Sequence, residues 1–389
     1  MKHLGDITKI HGDKIEPVDC ITFGSPCQDL SIAGRRAGLA GERSGLFMEA
    51  VRIIKEMRSS TNGLYPTFAV WENVPGAFSS NGGEDFRAVL EELARVEQPD
   101  ASIPRPSGRG GRWSKAGAIA GNGWSLAWRQ LDAKYWGVPQ CRKRIALVAD
   151  FGGQRAAEIL FERTGVSRHP DESIKAWKAT PGSSQASPSG CDRTGERVVY
   201  DARGNGDGKI APTITGDHEN RITDYTAIAI ERKTFNEQSF SHYKESNKCS
   251  TLKAKAGNIG NGSECLIAEK TIRWIVRRLT PVECERLQGY PDDYTNIGDW
   301  TDSKGKKHKY ADSPRYKALG NSIALPQWFW LVQKMRPYLK EKPTLGSLFD
   351  GLGGFPLVWQ RAYGEGTARW ASEIEEFPMA VTKRRFGEE

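Results

Sequence analysis

A chain of 389 residues, 38% apolar and 27% charged, has room for two domains or for one large α/β domain with an insertion, and its ordinary composition excludes collagen-like, low-complexity and disulfide-scaffold classes. Lys and Arg outnumber Asp and Glu, 56 to 48, and the resulting +8 favours a polyanion partner while also serving solubility. The seven cysteines, at 20, 27, 141, 191, 249, 265 and 284, form no Cys-x-x-Cys pair, so neither a disulfide framework nor a metal site is expected.

Met1 to Asp6 lacks a signal-peptide core, and no apolar run approaches membrane-spanning length, so a cytoplasmic chain without a membrane partner is expected. Lys2 to Ile10 opens with a strand-like piece ending at Gly5-Asp6-Ile7, which starts the chain almost inside a strand. Val18 to Phe23 is an apolar run that reads as a buried strand, and it opens into Gly24-Ser25-Pro26-Cys27-Gln28. Carboxyl ends of strands face the ligand crevice of α/β proteins. Gly24 lets the backbone turn and Pro26 stiffens it, so Cys27 reads as presented; a small core hydrophobe remains the alternative.

Gly34, Gly38, Gly41 and Gly45, interleaved with Arg35, Arg36 and Arg43, predict a mobile loop able to meet phosphate. Helical spacing follows over Leu46 to Met57 and again through Phe86, Val89, Leu90 and Leu93. Between them Thr67 to Trp71 predicts a second buried strand ending in Glu72-Asn73-Val74, so two strands deliver a thiol and a carboxyl to one rim. Gln98 to Gly123, rich in Pro, Gly, Ser and Arg, reads as a loop or insertion. Ser125 to Tyr135 and Arg144 to Phe151 read as strands, with Gln140-Cys141-Arg142-Lys143-Arg144 between them. The alternation of Arg142 and Arg144 puts both side chains on one face, where they clamp a phosphate, polarise a carbonyl or merely guard an edge.

Composition shifts near Gly152, and residues 152–271 read as a loop-rich, mainly β module between catalytic parts 1–151 and 272–389. Thr280 and Pro281 begin a helix that ends before Gly289-Tyr290-Pro291. The basic run Ser303 to Lys309 reads as a solvated face or a phosphate contact. Gly320-Asn321-Ser322 precedes an apolar helix from Leu325 to Tyr338. Leu345 to Phe355 is a strand, a glycine-rich turn and a helix, and Ala368 to Ser372 is a further strand with Glu373 at its end, placed for ribose hydroxyls. No Lys-Ser or Lys-Thr follows the glycines, which disfavours a phosphate-cradling loop.

Taken together, these blocks resemble the DNA (cytosine-5)-methyltransferase family. The resemblance rests on Gly24 to Gln28, Glu72-Asn73-Val74, Gln140-x-Arg142-x-Arg144, Arg277-x-Leu279-Thr280-Pro281 with Arg286 to Gly289, Gly320-Asn321-Ser322, and Phe349-x-Gly351-x-Gly353-Gly354. It covers nearly everything outside 152–271, where such enzymes carry a target-recognition domain. The glycine-rich strand usually comes first in that family and here lies at 345–355, so the order looks circularly permuted. Cys141 and Val358 are smaller departures.

The resemblance implies an α/β fold, a Rossmann-like mixed sheet of the S-adenosylmethionine-dependent methyltransferase kind with helices on both faces. It implies Cys27 as nucleophile, Glu72 as the acid at ring nitrogen 3, and Arg144 and Arg142 as holders of the base carbonyl and a phosphate. It implies S-adenosyl-L-methionine against Phe349, Gly351, Leu352, Gly353, Glu373 and Ile374, with Asp6 and Ile7 at the adenine edge and Pro26, Leu46, Asn321 and Ser322 closing the pocket. Gln28, Ser31, Asn73 and Gln140, with Thr251 and Leu252 in the recognition module, are the substrate-side expectations. The implied partner is double-stranded DNA with its target base flipped out, bound by a monomer that admits a cognate restriction endonuclease. Two rivals remain: a catalytically idle DNA-binding protein, opposed by Cys27, Glu72 and both arginines, and an exocyclic-amine DNA methyltransferase, which would need an Asp-Pro-Pro-Tyr-like tetrad that is missing.

Overall fold

The computed structural model describes residues 1–25, 45–106, 112–161 and 279–387, together with five strands between 197 and 267. The chain divides into two compact units.

The first unit is built on an eight-stranded sheet. Its strands are β1 (Lys2–His3), β2 (Cys20–Phe23), β3 (Phe68–Asn73), β4 (Ala116–Ala120), β5 (Ser125–Asp132) and β6 (Lys143–Asp150). The second unit holds β7 (Arg197–Asp201), β8 (Thr226–Ile230), β9 (Thr234–Ser239), β10 (His242–Ser246) and β11 (Cys265–Ile267), paired antiparallel as β7 with β8 and as β10-β9-β11. The chain then returns to the first unit with a hairpin, β12 (Trp300–Thr301) and β13 (Lys307–His308), and closes on β14 (Leu345–Leu348) and β15 (Ala368–Ser372).

In the large sheet the order is β1-β15-β14-β2-β3-β6-β5-β4; the first five strands run parallel and the last three antiparallel. The chain moves from β14 to β15 in one direction and from β2 to β3 in the other. The boundary between β14 and β2 is therefore a topological switch point, where the connections part and leave a crevice at the carboxyl ends. Register puts Leu348 opposite Phe23 and Phe23 opposite Trp71, so the residues just beyond them share one rim.

Strand alternation sends Ile21, Phe23, Ala69 and Trp71 to one face. There they pack on α1 (Gly45–Ser60) and α2 (Glu84–Ala94) through Phe47, Ile54, Phe86 and Leu90. Among the described residues the remaining α-helices are α3 (Ala156–Leu160), α4 (Pro281–Gln288), α5 (Asp312–Asn321), α6 (Leu325–Met335), α7 (Gly354–Tyr363) and α8 (Glu376–Phe386). Among the described residues no helix is long and apolar enough to cross a membrane.

Two details differ from expectation. Ala116–Ala120, inside the segment read as a loop, is an edge strand: the Trp128 indole occupies the space a side chain at Gly117 would need, with Cζ2 2.2 Å from the missing Cβ position, so a glycine is required at 117. Helix α3 follows the composition shift at Gly152 yet packs with the first unit, Ala156 N donating to Ser125 Oγ at 3.2 Å.

Candidate active site

The end of β3 and the end of β2 are tied together. Trp71 Nε1 donates to Ser25 Oγ at 3.2 Å, and Asn73 Nδ2 donates to the same oxygen at 3.3 Å and to the Ser25 carbonyl at 3.5 Å. Asn73 Oδ1 accepts from Val74 N at 2.8 Å. Asn73, expected on the substrate side, is thus buried with both ends of its amide engaged by protein. It holds the residue from which the Pro26-Cys27 segment departs.

Between these two contacts lies Glu72. Its Oε1 pairs with Arg144 Nε at 2.9 Å, and its Oε2 would lie 3.0 Å from a Cβ placed on Gly24. The missing side chain at Gly24 is what lets the carboxyl reach the mouth of the Cys27 segment. Burial pushes the Glu72 pKa above the ordinary carboxylate value, and the Arg144 and Arg142 guanidiniums pull against that without cancelling it. A carboxyl that keeps its proton to higher pH beside two fixed cations can donate that proton and then remain as a stabilised anion.

The two arginines part company. Arg144 stays on Glu72, whereas Arg142 is fully buried and donates through Nη2 to the Gly320 carbonyl at 2.8 Å and also to the Ser322 carbonyl. The phosphate contact expected of Arg142 does not fit that full burial, with Nη2 turned to backbone 178 and 180 residues away in sequence. Gln140, beside it, is fully buried, and its amide has no hydrogen-bond partner among the described residues.

Across the switch point, β14 ends in the turn Phe349 to Gly353, in which Phe349, Gly351 and Gly353 all have positive φ, at 55°, 56° and 74°. A Cβ on Gly351 would meet nothing within 4 Å, so the backbone there faces open space. One on Gly353 would sit 2.5 Å from the Phe386 ring, so that glycine serves helix packing. Glu373 Oε2 accepts from Gly351 N at 2.7 Å, and its Oε1 accepts from Ile374 N at 2.7 Å and Glu375 N at 2.8 Å. The ribose acid of the expectation therefore also fastens the turn. Its pKa is raised by burial, opposed by those amides.

Asp350 takes one hydrogen bond, from Ser347 Oγ at 2.6 Å, while its other oxygen is buried without a partner; burial lifts its pKa to about 8. Ile374 is 64% exposed next to Glu373, an apolar surface at the rim. Phe349 and Leu46 are half-buried, Leu352 and Ile7 are buried, and Asp6 accepts from Thr8 N at 3.0 Å. Asn321 is exposed, and Ser322 Oγ is 2.5 Å from the Tyr290 hydroxyl.

An open glycine backbone, an acid anchored beside it, an exposed apolar side chain and an unpartnered buried carboxyl oxygen suit a ligand with hydroxyl, amine and aromatic parts, as S-adenosylmethionine has. Pro26, Cys27, Gln28, Ser31, Thr251, Leu252 and the glycine-rich segment 29–44 lie outside the described residues. Ser25, Trp71, Asp350 and Tyr290 carry no role in the sequence reading. Ser25 and Asp350 stand inside the two short motifs themselves, where an unassigned polar residue was the available signal.

An open, mostly parallel sheet with its glycine turn and carboxyls gathered at a switch point defines an α/β cofactor-binding fold. The chain belongs to the C-5 cytosine-specific DNA methylase family, whose model matches residues 1–97 and 116–336. The fold is accordingly the mixed α/β sheet of S-adenosylmethionine-dependent methyltransferases, and family and fold together imply that cofactor.

A DNA N-6-adenine-methyltransferase of Escherichia phage P1 is 30% identical over 428 residues, covering 86% of this chain and 55% of the relative. The chain thus spans about half the length of that protein. The Type II methyltransferase M1.ScrFI of Lactococcus lactis subsp. cremoris is 27% identical over 349 residues, 87% of this chain and 67% of the relative. The crystal structure of S. pombe Dnmt2 methyltransferase superposes with a TM-score of 0.42 at 16% identity, covering 86% of this chain and 83% of that one.

Proposed function

We propose that this chain methylates carbon 5 of a cytosine in a specific duplex DNA sequence, with S-adenosylmethionine as donor. The observation that carries the reading is the placement of Glu72, its pKa raised by burial, held by Arg144, and with its Oε2 3.0 Å from the missing Gly24 side chain, three residues before Cys27.

Carbon 5 of cytosine is a weak nucleophile, and thiolate addition at carbon 6 converts the ring to an enamine. Cys27 supplies the thiolate and the Glu72 proton goes to ring nitrogen 3, so the ring gains a carbon–sulfur bond without gaining charge. The bound cofactor supplies an electrophilic methyl group. Loss of the carbon-5 proton to solvent water, expulsion of the Cys27 sulfur and return of the nitrogen-3 proton to Glu72 then restore the aromatic ring, the thiolate and the acid. Arg144 keeps Glu72 aligned, and Asn73 with Trp71 fixes Ser25, so thiol and acid are set by one strand end.

On the cofactor side, Gly351 offers open backbone, Glu373 takes the ribose, Ile374 and Phe349 take the adenine, and Asp6, Ile7, Leu46, Pro26, Asn321 and Ser322 complete the pocket. The target base is stacked inside a duplex, so it must be flipped out to reach Cys27, with 29–45 as lid and residues 152–271 as the recognition domain. Within that domain Thr251 and Leu252 contact bases, and Gln28, Ser31 and Gln140 contact the flipped nucleotide. The protein acts as a cytoplasmic monomer, alone or beside a restriction endonuclease.

The motif order is read as a circular permutation. Its support is that β1 pairs in parallel with β15, that β14 lies between β15 and β2, and that the Met1 amine donates to the Phe386 carbonyl at 3.2 Å.

Incubation with cofactor and duplex DNA carrying 5-fluorocytosine tests the reading. A covalent adduct lost in Cys27→Ala is expected, and no adduct overturns it in favour of an idle DNA-binding protein. Product analysis separates 5-methylcytosine from N6-methyladenine, the product suggested by the name of the phage P1 relative.

A further inference from the structure

We propose that the hairpin formed by β12 and β13 is a docking surface for the phosphate backbone of duplex DNA, contacted through Lys304, Lys306, Lys307 and Lys309. The inference rests on the reading that this chain acts on DNA.

All four lysines are exposed, and none has a carboxylate partner among the described residues, whereas nearby Lys317 pairs with Glu375 at 3.0 Å. Like charges this close repel one another, and the segment does not relieve the repulsion by fraying. Asp302 Oδ1 accepts from Lys304 N at 3.0 Å and Lys306 N at 2.8 Å, and its Oδ2 lies 2.9 Å from His308 Nε2. The Trp300 and His308 rings stack with centroids 4.2 Å apart. The acid and the ring pair use the interior of the hairpin for rigidity and leave the lysines to solvent.

The hairpin is also fastened at a particular place. Ser303 donates through N and Oγ to Glu376 at 2.9 and 2.5 Å, and Trp300 meets Phe377 edge-on at 5.6 Å. Glu376 and Phe377 follow closely on Glu373 at the carboxyl end of β15, the rim onto which the crevice opens. A hairpin serving solubility alone needs no such anchorage.

Lys307 lies in β13, Lys306 and Lys309 flank that strand and Lys304 is in the turn before it, so the four lysines are strung along the hairpin. A row of separated point charges suits the repeated phosphates of a polyanion, and contacts of that kind position a duplex without reading its sequence.

The test is DNA binding by the full chain over a range of salt, using two duplexes of unrelated sequence. The variants are the fourfold Lys304→Gln, Lys306→Gln, Lys307→Gln, Lys309→Gln and, as control, Lys340→Gln with Lys342→Gln, which precede the amino end of β14, away from its carboxyl-end rim. The fourfold variant is expected to lower the slope of log K against log salt by about 2 to 4, equally on both duplexes, since each phosphate contact contributes about 0.9. Its affinity for S-adenosylhomocysteine and the slope of the control stay at wild type.

An unchanged slope in the fourfold variant, while wild type binds DNA, overturns the role of the hairpin alone. So does a loss confined to one duplex, or a loss of cofactor affinity with an intact slope. Wild-type protein that binds neither duplex overturns the DNA reading itself, and the role of the hairpin with it.

Discussion

Asn73 holds Ser25: its Nδ2 lies 3.3 Å from the hydroxyl and 3.5 Å from the carbonyl of the residue just before Pro26. Strand β3 thereby fixes Ser25, the last described residue after strand β2, beside the strand end that carries Glu72.

Asn73→Ala removes that support and leaves a buried serine short of a partner. Stability is expected to fall by about 1 to 3 kcal/mol, the usual cost of an unsatisfied buried polar group. Methyl transfer is expected to fall about 10- to 100-fold through misplacement of the Cys27 segment, with S-adenosylhomocysteine affinity retained. Thermal denaturation, single-turnover rates and calorimetry together check it.

Glu72→Gln keeps the shape of the acid and removes its proton. Turnover is expected to fall about 10²- to 10⁴-fold, the range for loss of a positioned general acid. The raised pKa gives a further sign. The protonated carboxyl is the active form, so the wild-type rate should decline as pH rises through that pKa, and the variant should lose this limb. A pH–rate profile decides the matter, and an identical alkaline limb in the variant would assign it to another group.

Arg142 and Arg144 are expected to fail differently. Arg144→Met frees Glu72 from its partner and slows chemistry while cofactor binding holds. Arg142→Met releases the Gly320 and Ser322 carbonyls, so affinity for S-adenosylhomocysteine is expected to drop about 10-fold or more even without DNA. The comparison is made by titration calorimetry, with melting temperatures confirming folded protein. Weakened DNA binding with intact cofactor affinity in Arg142→Met would restore the phosphate contact.

Asp350→Asn tests the buried acid under the glycine turn. The folded protein holds the proton to about pH 8 and the unfolded chain releases it near 3.8, so the unfolded state binds fewer protons in between. Stability from this group is therefore lost as pH rises from about 4 to about 8. The melting temperature of Asp350→Asn, which still accepts from Ser347, should decline less over that interval, and parallel curves would place the proton elsewhere.

The strand ends and the glycine turn of the candidate site were legible from the residues because these parts are local. A buried strand followed by Gly24-Ser25-Pro26-Cys27, another followed by Glu72-Asn73, and a glycine turn followed by a strand ending in Glu373 each carry their meaning within about a dozen residues. The edge strand Ala116–Ala120 was hidden because its cross-strand neighbour, the Trp128 indole, takes the space of a side chain at 117 and so puts a glycine inside the strand.

By itself, then, the order of residue types determined which strands end in reactive groups, because apolar periodicity and turn chemistry act over neighbouring positions. Only the tertiary structure decided which strand ends meet. Packing brings β14 between β15 and β2, closes Arg142 onto Gly320 and Ser322, and gives Asn73 to Ser25. Those contacts join positions up to 325 residues apart, as in the Thr22 to Ser347 hydroxyl pair. They are settled by burial and hydrogen-bond satisfaction across the whole core, which no local pattern encodes.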